Sequence, residues 1–123
     1  MSDIKDFSVK NRMKAFGYAI SGFAHVFKTQ HAMWFHCLTA FFVVIAGIYF
    51  QISAADWRWL ALCITLVWGA ETINTAVEIV CDAVSLSHHP LIGKSKDVAA
   101  GAVLVANMGS IVILTLTLWP YFF

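Results

Sequence analysis

Glu71, Asn74, Glu78 and Asp82 follow one another at intervals of three, four and four residues, within and just past the apolar run 57–80. On a helix turning about 100° per residue they fall inside an arc of roughly 80°, so a single stripe carries three acids and an amide. A carboxylate near the middle of a membrane helix costs about 3 kcal/mol or more, so such a stripe reads as a site. Acids placed this way can take a proton from a hydroxyl, ligate a hard divalent cation or line an ion pathway.

The elements that must position the stripe are legible in the hydropathy. Of 123 residues, 60% are hydrophobic and 12% charged, with a mean hydropathy of +0.76. That balance excludes an ordinary soluble fold of this size, which needs polar surface to stay dispersed. The length allows one domain, 1–123. Three stretches, about 32–50, 57–80 and 99–119, approach the roughly 20 residues needed to cross a bilayer. Before them, over about 9–29, Val9, Met13, Phe16, Ile20, Phe23 and Phe27 alternate spacings of four and three, with Lys10, Lys14, Ser21, His25 and Lys28 between. That pattern predicts an amphipathic helix lying on the membrane surface. The expected class is an all-α integral membrane protein with one surface helix and three spans.

Basic residues set the orientation. Lys5, Lys10, Arg12, Lys14 and Lys28 precede the first span and Lys94 and Lys96 lie between the second and third; only Arg58 falls on the other side. The positive-inside rule therefore predicts a cytoplasmic N-terminus and an external C-terminus. Trp57, Trp59, Trp119 and Tyr121 suit the outer interface. No cleavable signal peptide is expected, since the N-terminus is polar and the first apolar stretch starts late. In this frame Asp82 sits near the cytoplasmic boundary and Glu71 roughly 16 Å deeper, near the midplane. The 85–97 segment, expected as a loop, adds His88, His89, Lys94, Lys96 and Asp97 at the same surface. A water-soluble anion could thus meet a lipid-dissolved reactant, which suits an enzyme joining the two phases.

Several features carry less. Gly93-Lys94-Ser95 resembles the end of a Walker loop, but His88 stands where its first glycine belongs and no strand precedes it. Cys37, Cys63 and Cys81 show no paired spacing and read as packing residues. Ala102, Ala106 and Ser110, with Gly109 close by, form a small-residue row that favours tight helix contact, and Asn107 could join it. Three helices alone hardly enclose a polar cleft, so oligomerisation is expected. A transport subunit also uses intramembrane acids, but it would more typically spread them over several spans. An inert scaffold leaves Glu71 without a reason.

The strings Glu71-Thr-Ile-Asn74-Thr75-Ala-Val-Glu78, Asp82, His89-Pro90 and Lys96-Asp97-Val-Ala-Ala-Gly101-Ala-Val-Leu104 resemble the bacterial integral-membrane lipid kinases, that is, the prokaryotic diacylglycerol kinases and the similar undecaprenol kinases. Lys14, Gly17-Tyr18, Gly22 and Phe27-Lys28-Thr29 extend the likeness along the surface helix. The resemblance implies a homotrimer in the bacterial inner membrane, with composite sites between subunits and no nucleic-acid partner. It implies ATP as co-substrate with Mg2+, and a membrane lipid alcohol as acceptor. Glu71 matches the general base and Asn74 its orienting neighbour; Lys14 and Glu71 match positions that meet the lipid. Glu78 matches a magnesium ligand. Lys96 and Asp97 match the pair that engages the nucleotide, while Tyr18, Asp82 and the stretch Ser87, His88, His89 match parts of its pocket.

Gln30 departs from the pattern. It stands where family members commonly carry a second metal-binding glutamate next to the nucleotide. An amide oxygen can still ligate magnesium but brings no charge. Weaker metal binding, compensation by Asp82 and a degenerate, poorly active relative are all open. The Gln30 stretch, Phe35-His36, Gly47, Ser53 and Trp57 resemble the undecaprenol-preferring branch more than the diacylglycerol-preferring one.

Overall fold

The computed structural model describes residues 8–84 and 89–123. Among them the chain forms four α-helices and no strand: α1 (Val9–Thr29), α2 (His31–Tyr49), α3 (Ala54–Val84) and α4 (Pro90–Phe122). The last three are long and apolar enough to cross a membrane. Their outward faces expose Phe41, Phe42, Ile45, Leu104, Val105 and Leu116, the reverse of a soluble protein and suited to a hydrocarbon solvent.

α1 begins where the Ser8 side chain accepts the Asn11 N–H at 3.1 Å, an N-cap that satisfies one free helix donor. It ends at Gln30, whose extended backbone breaks the helix and starts α2 one residue later. Val9, Met13, Phe16 and Ile20 stay exposed along α1, as the surface-helix pattern requires. Its C-terminal end is tied down. The Trp34 indole N–H donates to the Phe27 carbonyl at 2.7 Å, and Phe27 meets Trp34 and Trp68 edge-on at 5.7 and 5.9 Å between ring centroids. This aromatic knot fixes the α1–α2 junction against α3.

α2 and α3 run antiparallel through a tight turn. The Ile52 N–H bonds the Gly47 carbonyl and the Gln51 N–H that of Ile48, both at 3.2 Å, with Gln51 at φ +50. That is a Schellman closure with glutamine in the left-handed position that glycine usually takes. Gly47 is required for space: an added Cβ would lie 2.7 Å from the Trp57 ring and 3.1 Å from Ile52 Cδ1. At the same end Tyr121 of α4 donates to the Asp56 carboxylate and accepts the Ser53 N–H at 3.2 Å, clasping the start of α3.

α3 and α4 are longer than the sequence predicts, at 31 and 33 residues, or about 46 and 50 Å at 1.5 Å per residue. Lys94, Lys96 and Asp97 consequently sit on the first turns of α4, not in a loop. His89 explains the early start: its Nδ1 accepts the Leu91 N–H at 3.1 Å, and Pro90 occupies the first helical turn, where its missing N–H costs nothing. Gly93 continues this helix by bonding the His89 carbonyl at 3.0 Å, so Gly93-Lys94-Ser95 has no phosphate-loop geometry. Deeper in, Ser110 Oγ donates to the Cys63 carbonyl at 3.4 Å and the Cys63 thiol to the Ser110 carbonyl at 3.8 Å. The small-residue row therefore serves, at Ser110, the α3–α4 seam. Asn107 faces inward too, lining a cavity of about 230 Å³ between α2, α3 and α4.

Candidate active site

The acid stripe is realised on α3 with a gradient of burial. Glu71 is 4% exposed and Asn74 8%; Glu78 is half-buried and Asp82 exposed. Glu71 lies thirteen residues from Val84, about 20 Å inside that end of the helix, and is the deepest acid among the described residues. Thr75 beside it is 2% exposed and returns its hydroxyl to the Glu71 carbonyl at 2.9 Å, so it presents no free polar atom to the bilayer.

Polar contacts hold the stripe in two places. Asn74 Nδ2 donates to Glu78 Oε1 at 3.3 Å, which fixes the amide orientation and leaves Oδ1 buried, with no hydrogen-bond partner among the described residues. Burial of such an oxygen without a partner is costly, and it leaves an acceptor for a donor or cation from outside the described side chains. At the exposed end, Lys96 Nζ reaches Asp82 Oδ1 at 2.6 Å, joining the first turns of α4 to the last turn of α3.

A third contact was not read from the stripe. His36 Nε2 of α2 lies 3.5 Å from Glu71 Oε2, with side chains only 12% and 6% exposed. The sequence places His36 in the acceptor-branch string but gives no reason to pair it with Glu71. Antiparallel register between the first two spans is the signal that could have found it.

The same register bears on Gln30. Six residues before His36 and seven after Glu71, Gln30 and Glu78 come to nearly the same level along the antiparallel pair, about 9 and 10.5 Å from it. A half-buried carboxylate and an amide thus share one axial level, with the Asn74 oxygen, unpartnered among the described residues, one turn deeper. Oxygen donors are what magnesium prefers, so the donor types, though not a gathered ligand set, suit that ion.

Other positions stay apart within the chain. Lys14 and Tyr18 are exposed on α1, and Asp97 is exposed on α4. Among the described residues no hydrogen bond or ion pair joins Lys14, Tyr18, Gln30 or Asp97 to the stripe. His89 is engaged as a helix cap. Ser87 and His88 lie outside the described residues.

Comparison with known proteins agrees with this architecture. The model of the prokaryotic diacylglycerol kinase family matches residues 17–118, which include α2, all of α3 and the stripe. An undecaprenol kinase of Bacillus subtilis is 35% identical over 107 residues, covering 87% of each chain. A diacylglycerol kinase of Synechocystis is 36% identical over 104 residues, covering 84% of this chain and 59% of the relative. A diacylglycerol kinase of Escherichia coli K12 is 26% identical over 110 residues, covering 89% and 90%. These matches favour an enzyme over an ion-pathway or scaffold subunit. The chain belongs to the prokaryotic diacylglycerol kinase family and is a membrane lipid kinase, a phosphotransferase with an alcohol acceptor.

Proposed function

We propose that this kinase transfers the γ-phosphate of ATP to the hydroxyl of undecaprenol in preference to diacylglycerol, working as a homotrimer with magnesium. The observation that carries the reading is the continuous polar row on α3, from Glu71 buried mid-span to the exposed Asp82–Lys96 pair. A lipid hydroxyl reaches the buried end from the bilayer, while a polyanion reaches the exposed end from water. The positive-inside distribution of basic residues supports putting that water on the cytoplasmic side, with the C-terminus outside.

In this reading Glu71 takes the proton from the lipid hydroxyl as its oxygen attacks the γ-phosphorus, and Asn74 fixes the carboxylate row around it. Phosphoryl transfer asks mainly for positioning and charge neutralisation, which the remaining groups provide. Lys96 binds phosphate as a point charge when it leaves Asp82, and Asp97, Tyr18, Ser87, His88 and His89 border the nucleotide. Lys14 holds the lipid's polar end. Glu78 and Gln30 would hold magnesium, which when bound neutralises phosphate charge. The exposed Lys14, Tyr18 and Asp97 do not close on the stripe within one protomer, which favours a composite site completed by neighbouring copies.

The acceptor preference is supported by the Gln30–His36 stretch and by the Bacillus subtilis relative, which aligns over equal shares of both chains. The Synechocystis and Escherichia coli relatives favour diacylglycerol as the second reading. Mixed micelles offering each lipid separately, with radiolabelled ATP, decide between them. Faster labelling of undecaprenol supports the first reading, and faster labelling of diacylglycerol the second.

A further inference from the structure

We infer that His36 is a positioning residue for this kinase, orienting the Glu71 carboxylate and receiving the proton that Glu71 takes from the lipid hydroxyl. The inference rests on the proposed role of Glu71. Its own support is geometric.

His36 sits five residues into the apolar α2, where an ionisable side chain needs a partner to be tolerated. Its Nε2 lies 3.5 Å from Glu71 Oε2. The contact involves Oε2 and leaves Oε1 outside this pairing. The Phe35 ring stands at a steep angle to the imidazole, with 6.2 Å between centroids. On its remaining side the imidazole borders the cavity between α2, α3 and α4. At this distance Nε2 of the Nδ1–H tautomer is placed to take a proton from the Glu71 carboxyl, and the imidazole beside Oε2 limits the carboxylate's rotamers, as an orienting partner does in other acid–base pairs.

The proton balance closes within these groups. The lipid O–H proton passes to Glu71 as the lipid oxygen bonds the γ-phosphorus and the bond to the ADP oxygen breaks. The proton then moves from the Glu71 carboxyl to Nε2 of the neutral imidazole, which restores the carboxylate and leaves an imidazolium. That cation loses its proton to water before the next turnover. The groups facing His36 are few. From α3 come Glu71 and the Cys63 thiol on the shared cavity; from α4 come Asn107 and Ser110, neither of which ionises. α1 meets this region through the Phe23 and Phe27 rings against Trp68.

The test uses the full chain in mixed micelles, comparing the parent with His36→Gln and His36→Ala from about pH 5.5 to 9, a range that brackets imidazole ionisation. Thermal unfolding in the same detergent identifies folded variants. Expected is a fall in kcat of about 10²-fold in both variants, the size of a lost acid–base contribution, with KM for ATP unchanged. The low-pH limb of the parent's kcat profile should shift or vanish, and free imidazole, entering the adjacent cavity, should restore part of the turnover of His36→Ala only. Folded variants within about threefold of an active parent would overturn the inference, and so would a loss with an unchanged pH profile and no imidazole rescue. A parent with no lipid-dependent turnover would instead overturn the kinase mechanism on which the inference rests.

Discussion

The Asn74 amide donates to Glu78 Oε1 at 3.3 Å across one turn of α3, while its own oxygen stays buried and unpartnered among the described residues. One side chain thus holds Glu78, proposed to meet metal, about two turns from Glu71, proposed to meet the lipid, and still offers an acceptor to whatever binds there. Replacing the amide with a third acid would set two carboxylates against each other. Asn74→Asp should lower kcat by about 10²-fold, comparable to losing one preorganised polar contact. Steady-state kinetics at saturating magnesium checks this, and an unchanged kcat would remove Asn74 from the site.

Gln30 lies at the height of Glu78 but brings no charge. Gln30→Glu adds a second carboxylate at that level, and Mg2+ binding strengthens with ligand charge. The magnesium concentration for half-maximal turnover should drop several-fold, with kcat equal or higher. A titration of magnesium at fixed free ATP measures it; no change would mean that Gln30 does not face the metal.

Lys96 is bonded to Asp82 on the exposed rim, with side chains 39% and 63% exposed. A pair this exposed, screened by solvent, contributes little to folding. Lys96→Met should therefore leave thermal unfolding nearly unchanged while raising KM for ATP about tenfold or more, the effect of losing one phosphate-contacting charge. Paired melting and kinetic runs separate the two. Destabilisation without a change in ATP dependence would make the contact structural.

The α2–α3 turn carries opposite expectations at neighbouring positions. Gln51 holds φ +50, where glycine has no steric penalty, so Gln51→Gly should stabilise by about 0.5–1 kcal/mol. Gly47→Ala forces a methyl to 2.7 Å from Trp57 and should destabilise by about 1–3 kcal/mol through overpacking. Unfolding in detergent, with lipid-kinase activity as a fold check, reads both.

How far the fold was legible depended on which physics was local. The α1 boundaries and the existence of three spans follow from periodicity and hydropathy, which act residue by residue. The extension of α4 back to Pro90 does not, because polar Lys94, Lys96 and Asp97 hide a helix start that only the His89 cap and Pro90 announce. The stripe on α3 was visible because 3.6-residue periodicity puts Glu71, Asn74, Glu78 and Asp82 together on any helix. The His36–Glu71 contact was not, because it depends on the register between two helices, which the Gly47–Trp57 packing and the Gln51 turn determine. The seam at Ser110 belongs to the same class: a small residue is recognisable in sequence, but not the helix it will press against.

The measurement that bears most directly on the central claim is ATP turnover by the purified parent in mixed micelles with magnesium, with and without lipid alcohol, beside Glu71→Gln. Glu71 as the base predicts lipid phosphate from the parent, ATP consumption that depends on added lipid, and a loss of about 10²-fold or more in the variant. Lipid phosphate formed equally well by a folded Glu71→Gln would contradict it.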